Sequence, residues 1–428
     1  MQSSDSRRAQ IGTLILATSG IQLANGFFTT LISLRVVLED FQATMAGLVL
    51  SGYFLGFTVG AVRCGRIIER IGHIRAYAAF AGVVVTATGA MALLVEPLPW
   101  LILRALVGFG CAGLFVTTES WLNAKAQPAE RGRVFSLYMV GTFAGLAFGQ
   151  LLIGRKEVET AVPFSIICSL FALALVMVCT TRAEPPQASS VPLLPYRQLA
   201  RAAPVAVVGA ALSGFVASAF YALVPAWMQG EGIERETIGL LMLAAVLGGL
   251  AFQVPVGRLS DRFDRRIVLA ALCAGCAIAA VSLAQLPDKP MVSLPVIALL
   301  GGFMSALYPV CVAHAHDRMP ADRVVAVSSW LIVASGVGSV LGPFIGVRFM
   351  YRFDLNGVLY LIAAAACLLG AFAFGRSLIS ASPPHVERPF EILAPQAAPL
   401  AHDLRDPSDD CPSHGYAGAV PEESRSAE

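Results

Sequence analysis

Apolar residues in this chain come in long unbroken runs rather than in alternating stripes. Twelve runs, separated by short polar segments, cover 11–34, 45–64, 74–95, 100–122, 133–153 and 161–180, then 203–229, 236–256, 267–286, 291–315, 323–347 and 355–376. Each is close to the ~20 residues that a helix needs to cross ~30 Å of hydrocarbon. In lipid every backbone polar group must be satisfied inside its own segment, so the runs predict helices. The expected fold class is an all-α polytopic membrane protein with twelve transmembrane helices. Residues 1–10 are polar and carry Arg7 and Arg8. The apolar run that follows is long enough to span, so a retained first helix is expected rather than a cleaved signal.

The runs are not independent of one another. Shifting the chain by 192 residues places Gly47-Leu48 on Gly239-Leu240, Gly56 on Gly248 and Gly65-Arg66 on Gly257-Arg258. The same shift places Arg70 on Arg262, Pro128-Ala129-Glu130-Arg131 on Pro320-Ala321-Asp322-Arg323, and Gly154 on Gly346. Six helices per half leave both halves in the same orientation, so the repeat is parallel. Two such halves facing each other across a central cavity is a recurring plan of transporters.

Composition agrees with a membrane protein. Hydrophobic residues make up 56% of the chain and charged residues only 14%, too few to cover a soluble protein of this length. The charge is unevenly placed. Loops on the side of the N-terminus carry sixteen Arg or Lys and loops on the opposite side seven, which puts both termini in the cytoplasm by the positive-inside rule. The chain then divides into a cytoplasmic N-terminus (1–10), an N-terminal six-helix bundle (11–180) and a cytoplasmic linker (181–202). A C-terminal six-helix bundle (203–376) follows, then an acidic, Pro-rich tail (377–428) expected to be disordered. The linker carries Glu184-Pro185-Pro186 and Pro192. Basic charge in this setting reads as orientation, so no nucleic-acid partner is expected. Of 30 basic residues 27 are Arg, which points to a GC-rich bacterial genome and to the bacterial inner membrane.

Cysteine and histidine offer no metal or redox centre. Cys273 and Cys276 have the spacing of a redox pair, but they lie inside an apolar run with no second pair. Packing of small residues between helices accounts for them. His314 and His316, at i and i+2, do not share a helix face. There is no GxxxxGK loop for direct nucleotide drive. No cofactor and no metal are expected.

The polar loops after runs 2 and 8 form a pair. The first reads Gly65-Arg66-Ile67-Ile68-Glu69-Arg70-Ile71-Gly72-His73-Ile74-Arg75, and the second Gly257-Arg258-Leu259-Ser260-Asp261-Arg262-Phe263-Asp264-Arg265-Arg266. This doubled motif resembles the loop signature of the major facilitator superfamily: a Gly, an Asp-Arg pair, a second Gly and further basic residues. The first copy fits at Gly65, Glu69, Arg70 and Gly72, with Glu for Asp. The second fits at Gly257, Asp261, Arg262, Arg265 and Arg266, but has Asp264 for the second Gly. Arg104-x-x-x-Gly108-x-Gly110-x-x-Gly113 resembles the helix-4 motif of that family, and the resemblance covers about residues 10–377. The stretch Thr118-Glu119-Ser120-Trp121-Leu122-Asn123 resembles a little-characterised bacterial branch of it.

The resemblance implies alternating access and makes the two loops conformational latches, with Glu69 and Arg70 pairing across the inner end and parting as the halves rock. Arginines that only enforce topology are the plainer reading, and both can hold. The first copy keeps both glycines and the second the fuller basic cluster, so the two are expected to be inequivalent.

Other candidates come from charge and polarity at depth. Arg104 and Glu119 lie within run 4, where a charge must be paired, hydrated or functional. They are 15 positions apart, ~22 Å along a helix, and cannot pair with each other. Arg104 matches the helix-4 Arg that the family associates with substrate or proton coupling. Glu119 is either a proton carrier or a residue at the inner end bonded to Arg131 or Arg133. Gln22, Asn25 and Thr29 at i, i+3 and i+7 form one polar face in run 1, suited to a cavity wall or to helix–helix bonding. Tyr221, Tyr308 and Gln253 are weaker cavity candidates, and Trp227 is expected at the membrane interface.

Glycines at i, i+4 and i+8 (Gly52, Gly56 and Gly60; Gly141, Gly145 and Gly149; Gly338, Gly342 and Gly346) predict close helix contacts. The expected function is secondary active transport of a small solute by a monomer, with protons as the candidate coupling ion and membrane lipid as a partner. An exporter of drugs or metabolites is the alternative to an uptake permease. A membrane-embedded enzyme is disfavoured, because no nucleophile–base or metal set is evident.

Overall fold

The computed structural model describes residues 2–127, 130–154, 158–180, 196–286, 290–320 and 323–379. The described residues are helical almost throughout. The first half holds α1 (Gln2–Leu38), α2 (Ala43–Ile71), α3 (His73–Leu93), α4 (Pro97–Lys125), α5 (Arg131–Gln150) and α6 (Val162–Cys179). A short α7 (Tyr196–Ala202) leads into the second half, which holds α8 (Pro204–Gly230), α9 (Arg235–Arg262), α10 (Arg265–Ala284), α11 (Pro290–His316), α12 (Val324–Phe353) and α13 (Gly357–Ile379). The expected disordered tail and most of the expected linker lie outside the described residues.

Eleven of these helices are long and apolar enough to cross a membrane. The exceptions are the seven-residue α7 and α5, the latter with Arg131, Arg133, four glycines, Thr142 and Gln150 in 20 residues. It packs between α1 of its own half and α9 of the other half, so neighbouring helices meet much of its surface. Chain breaks follow from local chemistry. Gly72 separates α2 from α3 at φ +82°, a left-handed backbone that glycine adopts without a Cβ clash, and its N–H closes the last turn on the Ile68 carbonyl. At the matching position of the second half, Asp264 caps α10 by accepting the Arg266 N–H at 2.9 Å. The end of the linker is helical: α7 buries Leu199, stacks Tyr196 near Trp330 and joins Gln198 to Arg323 at 2.8 Å. Helix α1 starts before the apolar run does, and its early turn brings Arg8 within 3.5 Å of Glu130.

The sequence repeat is a packing repeat. In the first half α2 lies along α4, α1 along α5 and α3 along α6; in the second α9 lies along α11, α8 along α12 and α10 along α13. Glycines make these approaches possible. A Cβ on Gly56 would overlap the Ala105 carbonyl, and one on Gly108 the Tyr53 carbonyl. Gly248 meets the Ala298 carbonyl and Gly301 the Ala245 carbonyl in the same way. The contacts refine the ungapped offset: it is 192 residues on α2 and α9 but 193 at the Gly108–Gly301 pair, and again 193 at the Gly145–Gly338 and Gly149–Gly342 pairs of α5 and α12. Gly145 and Gly149 press on α1 at Ser19 and Leu23, and Gly338 and Gly342 on α8 at Ala211 and Phe215.

The two halves meet through α2 with α12, α5 with α9, and α1 with α8. These contacts gather at the end of the bundle away from the linker, here the far end. There the Gly47 backbone lies against Phe344 and Pro343, and Gly239 against the Gln150 carbonyl. Arg235 pairs with Glu159 at 2.7 Å, and the Ala226 N–H donates to Ser33 Oγ at 3.2 Å. The far end of the first half is itself clasped by Arg35. This residue pairs with Glu39, donates to the carbonyls of Val158 and Thr160, and lies near the rings of Trp100 and Phe164.

At the linker end the halves part. Positions 47, 51, 54, 58, 62, 65 and 69 fall on one face of α2 by helical periodicity. That face touches α12 at Gly47 and again at Thr58, which packs against Gly336. Further along it, Val62 is 53% exposed, Glu69 is exposed and nothing lies within 4 Å of a Cβ placed on Gly65. One continuous face is therefore covered at the far end and open at the linker end.

These two environments predict opposite outcomes on one helix. Gly56→Ala should lower stability by about 1–3 kcal/mol through overpacking against α4. Gly65→Ala should leave it unchanged. Thermal unfolding of the purified variants checks both.

Candidate functional site

Arg104 sits two turns into α4 from the far end and is 1% exposed. No carboxylate meets it among the described residues. Instead its guanidinium carbon lies 4.8 Å from the centre of the Tyr53 ring and 5.2 Å from that of Phe28. Its Nε and Nη1 are buried without a hydrogen-bond partner. Each cation–π contact contributes ~0.5–2 kcal/mol, less than the several kcal/mol that burying an unpaired ion costs. The arrangement is therefore not one that stability alone selects.

The polar face of α1 is part of the same cluster. Asn25 Nδ2 donates to Gln22 Oε1 at 3.4 Å, and Asn25 also lies beside the Tyr53 hydroxyl, as does Cys111. Thr29, a turn further along, is buried with its hydroxyl unbonded. Ser33 continues this face to the far end and touches α8 of the other half, so the stripe is turned toward the second half. Gln150 closes the cluster from α5. It accepts from the Thr30 hydroxyl at 2.6 Å and donates to the Gly26 carbonyl at 3.2 Å.

Glu119 lies at the opposite end of α4, 2% exposed, where its Oε1 accepts from the Tyr138 hydroxyl of α5 at 3.0 Å. The structure thus keeps the two buried charges of α4 apart, as their spacing requires. The second half contributes neutral groups. Tyr221 of α8 lies beside Ser305 of α11, and Tyr308 follows one turn later, partly buried. Gln253 Nε2 donates back to the Gly249 carbonyl at 3.3 Å. No hydrogen bond among the described residues joins Tyr221 or Gln253 to the Arg104 cluster. Trp227, expected at the membrane interface, is fully buried near the end of α8, and its Nε1 donates to Asn356 at 2.9 Å under the loop before α13.

The two motif loops differ as their sequences do. In the first, Glu69 and Arg70 are exposed and form no ion pair among the described residues. His73, buried at the start of α3, bonds Ser120 of α4 at 3.1 Å. In the second, Arg265 occupies the place of His73. It reaches Asp317 at the end of α11 at 2.6 Å, and also contacts Asp261 and Ser260. Arg266 forks onto Asp264 at 2.7–3.3 Å and donates to the Arg376 carbonyl at 2.9 Å. Gly257 is buried, while Arg262 is exposed. Both loops tie the first turn of one helix to the last turns of another within their own half.

Two stretches of the chain, residues 14–234 and 206–406, each match the Major Facilitator Superfamily. The chain belongs to the Major Facilitator Superfamily. It is 30% identical over 359 residues to the uncharacterized MFS-type transporter YcaD of Escherichia coli O7:K1, spanning 82% of this chain and 91% of that one. The YcaD protein of Shigella flexneri is also 30% identical, over 358 residues and the same shares. Among solved structures, a mutant of the nucleoside transporter NupG superposes with a TM-score of 0.74 at 14% identity, covering 86% of this chain and 99% of that one. A bacterial homologue of the human lysosomal transporter Spinster, in an inward-facing and unoccupied conformation, gives 0.72 at 16% identity, covering 87% and 97%. At these identities the structural likeness speaks for the fold. The protein is a multi-pass membrane protein of this transporter family, built from two six-helix repeats.

Sequence reasoning found Arg104 and Glu119 but missed their neighbours. Phe28, Tyr53 and Tyr138 look like ordinary members of apolar runs, and nothing local marks them as contacts of a charge. One test of the energetic reading is Arg104→Met, which removes the unpaired ion and keeps the volume. Unfolding of this variant should shift up by about 1–4 kcal/mol; a loss of stability would make Arg104 a structural residue.

Proposed function

We propose that the protein is a secondary active transporter that moves a small solute by alternating access. The observation that carries this reading is the joining of the two halves at the far end and their parting at the linker end, with an unpaired arginine buried among α1, α2 and α4 of the first half. The same helix faces that are open at the linker end are the ones that would close when the far end opens. The solute site lies near Arg104, Gln22, Asn25 and Thr29 in the first half, with Tyr221 and Tyr308 contributed by the second.

The excess of Arg and Lys at the linker end makes that end cytoplasmic, so the structure corresponds to an inward-open state in the bacterial inner membrane. In this state the first-copy latch is released, with Glu69 and Arg70 unpaired, while the second copy holds its own half together. Closure of the inner end brings the Gly65–Glu69 face of α2 onto α12. Glycine at 65 suits that approach, because a side chain there would stand in the way.

Protons are the coupling ion that the residues favour. Glu119 is the one carboxylate buried within a spanning segment among the described residues, where its Oε1 accepts from the neutral Tyr138 hydroxyl. A D-xylose–proton symporter shares the fold, with a TM-score of 0.67 at 17% identity.

Flux into proteoliposomes under an imposed pH gradient, run across a panel of small solutes, tests the proposal. Arg104→Ala should abolish flux while the protein stays folded; unaltered flux would remove Arg104 from the site. Glu119→Gln should still allow downhill exchange but lose accumulation driven by the gradient. Retained accumulation would assign coupling elsewhere.

The state change has its own test. Gly65→Leu meets no obstacle in the present state and should leave stability intact, yet cut turnover by at least tenfold by blocking closure at the linker end. Turnover equal to the parent would exclude the α2–α12 contact there.

A further inference from the structure

The arginines at the linker end of the second half are not spread evenly over the surface. Arg265 and Arg266 start α10, Arg318 follows the end of α11, and Arg376 lies in the last turn of α13. Arg266 is 2% exposed and touches the backbone of Arg376 directly. Both carboxylate oxygens of Asp264 are taken by Arg266, and both of Asp317 by Arg265, which also holds Asp261. That leaves Arg318 and Arg376 without an ion pair or side-chain hydrogen bond among the described residues, and the Arg318 Nε is buried with no acceptor. Burial, together with the nearby Arg266 and Arg376 guanidiniums, holds Arg318 below the usual arginine range despite Asp264 and Asp317. Four guanidiniums and three carboxylates make this a site of net charge +1.

Topology alone does not ask for this. The positive-inside bias is met by basic residues anywhere in a loop. In the first half, His73 and Ile74 stand at the positions of Arg265 and Arg266, so the cluster is peculiar to the second half. Its surroundings are apolar on the outer side. Ile267 beside Arg266 is 51% exposed, and Phe374 and Leu378 on either side of Arg376 are 51% and 73% exposed. A basic cluster with one uncompensated charge and exposed apolar neighbours at the end of spanning helices matches the headgroup and upper chains of a lipid.

We propose that Arg318 and Arg376, positioned by Arg265 and Arg266, bind the phosphate of an anionic phospholipid at the linker end of α10, α11 and α13. A phosphodiester carries one negative charge and neutralises the site, and its oxygens accept from guanidinium forks that now lack acceptors. A zwitterionic headgroup brings a cation with its phosphate and fits less well.

Native mass spectrometry of the full-length protein, released from detergent with phosphatidylglycerol or phosphatidylcholine, tests this. The parent should retain one phosphatidylglycerol in preference to phosphatidylcholine. Retention should fall about fivefold for Arg376→Gln and about thirtyfold for the pair Arg318→Gln and Arg376→Gln. Arg376 makes no side-chain bond, so the single variant keeps the test open if the pair misfolds. Arg63→Gln with Arg66→Gln removes equal charge from the first half and should leave retention as in the parent. Equal loss in that control would reduce the effect to diffuse surface charge and overturn the proposal. So would full retention by the Arg376→Gln variant. Inorganic phosphate alone should give no thermal stabilisation while phosphatidylglycerol does; stabilisation by phosphate as large as by the lipid would replace the lipid with a free anion and overturn the lipid assignment.

Discussion

In hydrocarbon no hydrophobic drive pushes one apolar helix against another, so association depends on how closely two helix surfaces can fit. The rest of this structure follows from that constraint. Gly56 lets α2 rest on the Ala105 carbonyl, and Gly108 lets α4 rest on the Tyr53 carbonyl. The same reciprocal fit recurs between α9 and α11. These contacts set the rotation of each helix about its axis, and the rotation decides which side chains face inward. Tyr53 meets Arg104 because the glycine contact holds α2 and α4 in one register.

The same constraint separates rigid from mobile contacts. Within each half, backbone approaches backbone, and a single added methyl group would collide with a carbonyl. Between the halves, the contacts are of that kind only toward the far end. At the linker end, α2 presents Val62, Gly65 and Glu69 to open space. A bundle built this way has its tightest packing inside each half, where little room for movement is left.

Charge is divided between the halves in a way that the repeat conceals. The buried ions Arg104 and Glu119 both belong to the first half, and the second half offers Tyr221, Ser305 and Gln253. At the linker end the imbalance is reversed. The second half holds a dense Arg–Asp network at Arg265, Arg266, Asp264 and Asp317, where the first half has the neutral His73–Ser120 bond. Duplication supplied a common frame of six helices, and the polar residues placed on it have diverged.

What the sequence by itself determined is what depends on neighbours along the chain. Run length and hydropathy predict the helices, the 192-residue offset predicts the parallel halves, and Gly72 and Asp264 mark breaks because turn chemistry is local. The run of α5 also falls at its matching place in the repeat. Arg104 and Glu119 stand out because charge at depth is unusual in any run. Tertiary structure alone decided what these residues meet. Phe28, Tyr53 and Tyr138 carry no local sign of proximity to a charge. That Trp227 is buried against the loop before α13 is likewise invisible in its own run. Which end of the bundle is closed was also invisible in the sequence. It rests on contacts such as Gly47 with Phe344 and Arg235 with Glu159, between residues far apart in the chain, whose meeting depends on the rotation and tilt of whole helices.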